Sequence, residues 1–158
     1  MGFDDAGVIF LFFIYHAVAS FFSMPLGKLS DKIGRKNLIV PGYLIFTLCY
    51  LGFAFASNKF AIEVVFVLYG IYTAMITGVE RAFVAEISPP ELKGTMLGLH
   101  STVAGIALLP ASVIAGLLWN LFGASIPFLF GACLSFISAM LLVLFMKNNP
   151  VLQDDVRR

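Results

Sequence analysis

The stretch PLGKLSDKIGRKN, residues 25–37, gathers five charged side chains, Lys28, Asp31, Lys32, Arg35 and Lys36, between two long apolar runs. On either side lie FLFFIYHAVASFF, residues 10–22, and LIVPGYLIFTLCYLGFAFA, residues 38–56. Charged residues make up 12% of the chain and apolar ones 60%, with 17 phenylalanines. A soluble domain carries about 25% charge, so this composition excludes an ordinary soluble fold and points to lipid as the solvent. A net charge of +1 gives no ground for a nucleic-acid partner.

Crossing a hydrocarbon core of about 30 Å takes about 20 helical residues. Five segments are long enough: 6–26, 38–56, 61–85, 94–119 and 125–146. Strands are a poor alternative, because the runs lack period-2 alternation and an open sheet edge in lipid leaves its backbone unsatisfied. The predicted fold is all-α and integral to the membrane, with polar breaks at GKLSDKIGRKN, SNK, EISPPELK and NLFGA. Ala17-Val18-Ala19 resembles a signal cleavage site, but its leading flank holds Asp4 and Asp5 and no cation, the wrong charge for a signal peptide. Cys49 and Cys133 each lie within an apolar run and read as small core residues.

Orientation follows from the cations. Lys28, Lys32, Arg35, Lys36, Arg81, Lys93, Lys147, Arg157 and Arg158 fall on one side and Lys59 alone on the other. The positive-inside rule makes the first side cytoplasmic, with the N-terminus outside and the C-terminus inside. The expected location is multi-pass in the cytoplasmic (plasma) membrane, with the bilayer as partner.

Small residues recur at four-residue spacing in four rows: Gly70, Ala74, Gly78; Gly94, Gly98, Thr102; Ala107, Ala111, Ala115; and Gly131, Ser135, Ala139. Such rows let helix backbones approach closely in lipid, and the same faces serve for sliding in a protein that rocks.

Gly27-x-Leu29-x-Asp31-x-x-Gly34-Arg35-Lys36 resembles the loop motif G-x-L-x-D-x-x-G-R-K/R of the major facilitator superfamily. Positive-inside topology explains the cations there, but not an Asp flanked by glycines at fixed offsets. GVERAFVAEISPPELKGTMLGLHSTVAGIALLPASVIAGLLW, residues 78–119, is similar to a pair of helices of the same superfamily, through Arg81, Glu86, Pro89, Glu91, Lys93, Gly94 and Pro110. The resemblance implies a conformational latch built from Gly27, Asp31, Gly34, Arg35, Lys36, Arg81 and Glu86. In it Arg35 faces Glu86, and Asp31 caps the helix starting near Gly94. Chemistry agrees, since Arg grips carboxylates through charge-assisted hydrogen bonds and an Asp gains from a helix N-terminus.

The resemblance also implies twelve helices in two halves, of which five are present. The chain is therefore expected to be a truncated or split transporter, inactive alone. Its short polar tail, KNNPVLQDDVRR, favours the C-terminal half. Gly105 followed by LLPASVIAG departs from the antiporter fifth-helix pattern.

His16 lies about 15 Å into the first span, where ionisable groups are costly and default to function. With Glu80, Tyr15 and Tyr72 it is a candidate for the substrate or proton pathway. Hydrogen bonding of a neutral imidazole to a neighbouring helix is the alternative for His16, and a surface carboxylate the alternative for Glu80. Tyr69 and Thr73 are further cavity candidates, and His100 reads as structural. No metal-ligand cluster, nucleotide loop or nucleophile with its base is present, so neither an enzyme nor a cofactor is expected. The reading is transport of a small solute, with protons as candidate coupling ion and the missing remainder of the transporter as partner. The competing reading is a small membrane scaffold that kept the fold without transport.

Overall fold

A computed structural model describes residues 4–148. Five helices result: α1 (Asp5–Ile33), α2 (Arg35–Phe55), α3 (Lys59–Ile87), α4 (Lys93–Phe122) and α5 (Ser125–Asn148), with a 3₁₀ turn at Pro90–Leu92 before α4. All five are long and apolar enough to cross a membrane, and no strand occurs among the described residues. The side chains of Lys36 and Lys147, and the whole of Arg157 and Arg158, lie outside what is described.

The ends of the helices follow from local chemistry. Asp4 caps α1 by accepting a hydrogen bond from the Gly7 amide at 3.1 Å, and Asn58 caps α3 by accepting from the Ala61 amide at 2.7 Å. Between α4 and α5 the chain turns at Gly123, whose φ of 92° suits a residue without a Cβ.

The polar break expected over residues 27–37 is mostly helix. Helix α1 runs on through Gly27, Lys28 and Asp31 to Ile33, and α2 begins at Arg35. At 1.5 Å per residue, 29 residues reach about 43 Å, so α1 outruns a core of about 30 Å. Polarity marks where lipid ends, whereas the helix continues because its backbone remains satisfied in water as well. The turn itself is one residue, Gly34, with φ 87°. Asn37 then donates its side-chain amide to the Ile33 carbonyl at 2.6 Å, closing the end of α1.

Packing runs α1 on α3, α3 on α2, and α2 on α5, while α4 touches α3 and α5 sparsely. Between α2 and α3 lies a core of Leu38, Ile39, Met75, Ile76 and Val79. The α1–α3 contact is close at Gly70, where an added Cβ would meet the Tyr15 carbonyl oxygen at 2.9 Å and Val18 at 3.0 Å. At Gly131 of α5, an added Cβ would lie 2.6 Å from the Tyr50 ring of α2. One turn further along α5, the Ser135 hydroxyl donates to the Tyr43 carbonyl at 2.9 Å, and Ala139 is buried.

Cys49 is fully buried, as a small core residue should be, whereas Cys133 is exposed. An apolar run in lipid has no intrinsic inside, and Cys133 falls on a face of α5 away from α2.

Candidate functional site

Two regions bring the polar residues of the spans together. The first is the cluster at the turn between α1 and α2. Placed by Gly34 at the first position of α2, Arg35 reaches across to the last turns of α3. Its Nη1 lies 3.3 Å from Glu86 Oε2 and donates to the Ala82 carbonyl, while Nη2 lies 3.5 Å from Asp31 Oδ1. One guanidinium therefore ties the end of α1, the start of α2 and the end of α3. Glu86 and Arg35 face each other, but the fork is shared among three acceptors rather than spent bidentately on one carboxylate.

Asp31 does not cap α4. Leu92 occupies the position before α4, with no side-chain hydrogen bond to that helix, and Asp31 lies beside Arg35 one helical turn away in sequence. The reason is the shortness of the turn: with α1 helical to Ile33 and Gly34 alone before α2, Asp31 in the last turn of α1 lies beside Arg35 at the start of α2. Arg81 is exposed and makes no ion pair among the described residues. Gly27 has open space where a Cβ would go, so no close approach explains it. Arg35 is 28% exposed, Glu86 45% and Asp31 66%, so each ion pair is screened and contributes under about 1 kcal/mol.

The second region is a groove of about 510 Å³ between α1 and α3, lined by His16, Ser20, Ser23, Met24, Thr73 and Thr77 among others. His16, Ser20 and Ser23 share one face of α1 at i, i+4 and i+7, and Thr73 and Thr77 share one face of α3 at i and i+4. Ser20, Ser23 and Thr77 escaped the sequence reading, although that polar spacing inside apolar helices is the signal that marks them. Tyr15 flanks the groove, its hydroxyl 3.3 Å from that of Thr73 and its ring stacked on Tyr69 at 5.4 Å. Tyr72 packs instead into an aromatic seam, 4.8 Å from Phe46 and 5.6 Å from Tyr69 by ring centroids.

Glu80 is in neither region. It accepts a hydrogen bond from the Tyr43 hydroxyl at 2.8 Å and lines a separate cavity with His100. His16 and Glu80, grouped in one candidate pathway by sequence, thus open into different spaces. Among the described residues no group of three or more His, Cys, Asp or Glu side chains is placed to hold a metal.

Comparison with known proteins completes the picture. The family model described as Major Facilitator Superfamily matches residues 1–157. An uncharacterized MFS-type transporter of Methanocaldococcus jannaschii is 41% identical over 135 residues, which is 85% of this chain and 34% of that protein. The multi-drug resistance efflux pump PmrA of Streptococcus pneumoniae is 30% identical over 86% of this chain and 34% of its own length. The class H tetracycline resistance protein of Pasteurella multocida is 28% identical, with the same two coverages. The chain thus spans about a third of the length of these curated relatives.

Proposed function

The chain belongs to the Major Facilitator Superfamily, a family of transporters rather than enzymes, and from that premise we propose that it supplies five helices of a small-solute transporter whose solute enters the groove between α1 and α3. The observation that carries this reading is the polar lining of that groove. Five hydroxyl or imidazole side chains from two facing helices converge within segments otherwise made of Phe, Leu, Val and Ala. Polar groups are costly in hydrocarbon, so a line of them facing an open space reads as a water-accessible path. His16 is the titratable member of that lining and our candidate for proton coupling. Relatives named for multi-drug efflux and tetracycline resistance support export of a small organic solute.

The nine-to-one division of Lys and Arg supports an orientation in which the Arg35 end is cytoplasmic and Asp4 is outside. In our reading the Arg35, Glu86 and Asp31 cluster is the latch at that end, and the remaining helices of the transporter are supplied beyond this segment. Matched relatives about three times as long support that completion.

The test is accessibility in membranes. Cysteines placed at Ser20 and Thr77 should react with a membrane-impermeant thiol reagent, whereas a cysteine at the exposed apolar position Phe21 should not, because lipid covers it. Equal reactivity at Ser20 and Phe21 would sink the groove as a solute path.

A further inference from the structure

Hydroxyls inside apolar helices ordinarily bond their own backbone, and Thr47, Thr102, Ser112 and Ser138 do so here, each donating to the carbonyl four residues back at 2.8 or 2.9 Å. Ser20, Ser23 and Thr77 do not. Among the described residues none of the three makes a hydrogen bond, and neither does the His16 imidazole, which meets Tyr15 ring to ring at 4.6 Å. All four side chains are exposed and line the same space of about 510 Å³ between α1 and α3. Thr73, on the same wall, is already engaged: its hydroxyl donates to the Tyr69 carbonyl at 3.0 Å and lies 3.3 Å from the Tyr15 hydroxyl. From His16 to Ser23 the unspent groups run about 10 Å along α1. No Asp, Glu, Lys or Arg lines the groove. Glu80, three residues past Thr77, accepts from Tyr43 and opens into a different cavity, while Lys28 stands five residues beyond Ser23 toward the end of α1.

We propose that the groove between α1 and α3 selects an uncharged, polyhydroxylated solute. The inference rests on the groove's being a solute path and adds what enters it. A hydroxyl both donates and accepts, and a neutral imidazole does the same through its two nitrogens, so the wall is matched by groups that also do both. The hydroxyls of a polyol are such groups. An apolar solute would displace water from Ser20, Ser23 and Thr77 and offer nothing in its place, leaving each without a hydrogen bond. A cation would find no carboxylate in the wall and an anion no ammonium or guanidinium, so either would enter unpaired. With the Thr73 hydroxyl already spent, Ser20, Ser23, Thr77 and His16 are the groups that set the preference.

Sorbitol, N-methylglucamine and gluconate share one polyol chain and differ in charge: neutral, positive and negative. The reporter is Met24→Cys on the groove wall, in the full chain with Cys133→Ser to silence the exposed native thiol. It is reconstituted in lipid nanodiscs and labelled with a membrane-impermeant methanethiosulfonate. Sorbitol should slow the labelling saturably, with both charged polyols at least about tenfold weaker. Ser20→Ala and Thr77→Val should each weaken sorbitol protection by about threefold to tenfold. Ser112→Ala, whose hydroxyl is spent on Leu108 outside the groove, should leave it unchanged. Saturation-transfer NMR on the parent chain repeats the three-polyol comparison with no substitution in place, and the same ranking is expected. A Met24→Cys thiol that never reacts overturns the solute path and the solute class together. A thiol that reacts but is protected equally by all three polyols, or by none, overturns the class and leaves the path standing, as does equal transfer to all three in the parent chain.

Discussion

Helices α4 and α5 both carry small residues every fourth position, yet one is packed and the other bare. On α5, Gly131 receives the Tyr50 ring, Ser135 bonds to the α2 backbone, and Ala139 is buried. On α4, no atom lies within 4 Å of the Cβ positions of Gly94, Gly98, Gly105 or Gly116, and no residue is buried. Helix α3 shows both conditions along a single row: Gly70 is pressed against α1, while Gly78 faces open space. Spacing tells which face permits close approach. Whether a partner fills it depends on which helices the chain brings alongside.

The largest effect expected from this contrast is at Gly70 against Gly98. In Gly70→Ala the new methyl meets the Tyr15 carbonyl, part of a helix backbone that cannot rotate away, and overpacking of this kind costs about 1–3 kcal/mol. In Gly98→Ala the methyl meets nothing, and the better helix propensity of Ala stabilises the chain by up to about 1 kcal/mol. Unfolding in mixed micelles, followed by circular dichroism, should separate the two variants in opposite directions. Equal losses in both would mean that α4 has a partner in solution, such as a second copy of the chain.

What could be read beforehand divides along the same line. Five spans were legible because hydrocarbon thickness imposes a length, and the runs at 38–56 and 125–146 match α2 and α5 closely. The residues of the turn were legible as a motif, but its shape was not. Gly27 to Ile33 is helical because a polar stretch leaving the membrane has no reason to unwind before Gly34. Arg35 and Glu86, 51 positions apart, were paired only through family resemblance, since no local pattern links them. Ser20, Ser23 and Thr77 were missed because hydroxyls scattered through apolar helices usually bond their own backbone, as Thr102 and Ser112 do on α4.

Those hydroxyls give a smaller, sharper contrast. Ser135 donates between helices to Tyr43, whereas Ser112 donates within its own helix to Leu108, at 2.9 and 2.8 Å. Interhelical hydrogen bonds in membranes are worth about 0.6 kcal/mol on average. Ser135→Ala should therefore lose about that much in the same unfolding measurement, and Ser112→Ala should be silent. A cost at Ser112 as large as that at Ser135 would show that α4 is engaged through this face.

The smallest expected effect lies at the Arg35 cluster, and its division among partners is the informative part. Arg35→Lys keeps the charge but cannot span Glu86, Asp31 and the Ala82 carbonyl at once, because an ammonium lacks the planar fork. Its cost in stability should be at most about 1 kcal/mol, given exposed partners. Asp31→Asn removes one screened pair at the most exposed corner, so a few tenths of a kcal/mol is expected. Glu86→Gln should fall between them, since Glu86 is less exposed and joins α3 to α2 rather than neighbouring helix ends. The ordering Arg35→Lys, then Glu86→Gln, then Asp31→Asn follows from one guanidinium holding both carboxylates, and raised salt should compress all three differences together. If Asp31→Asn instead costs more than Glu86→Gln, the joint between α1 and α2 matters more than the tie to α3. A latch on Glu86 would then be the wrong description of this end of the bundle.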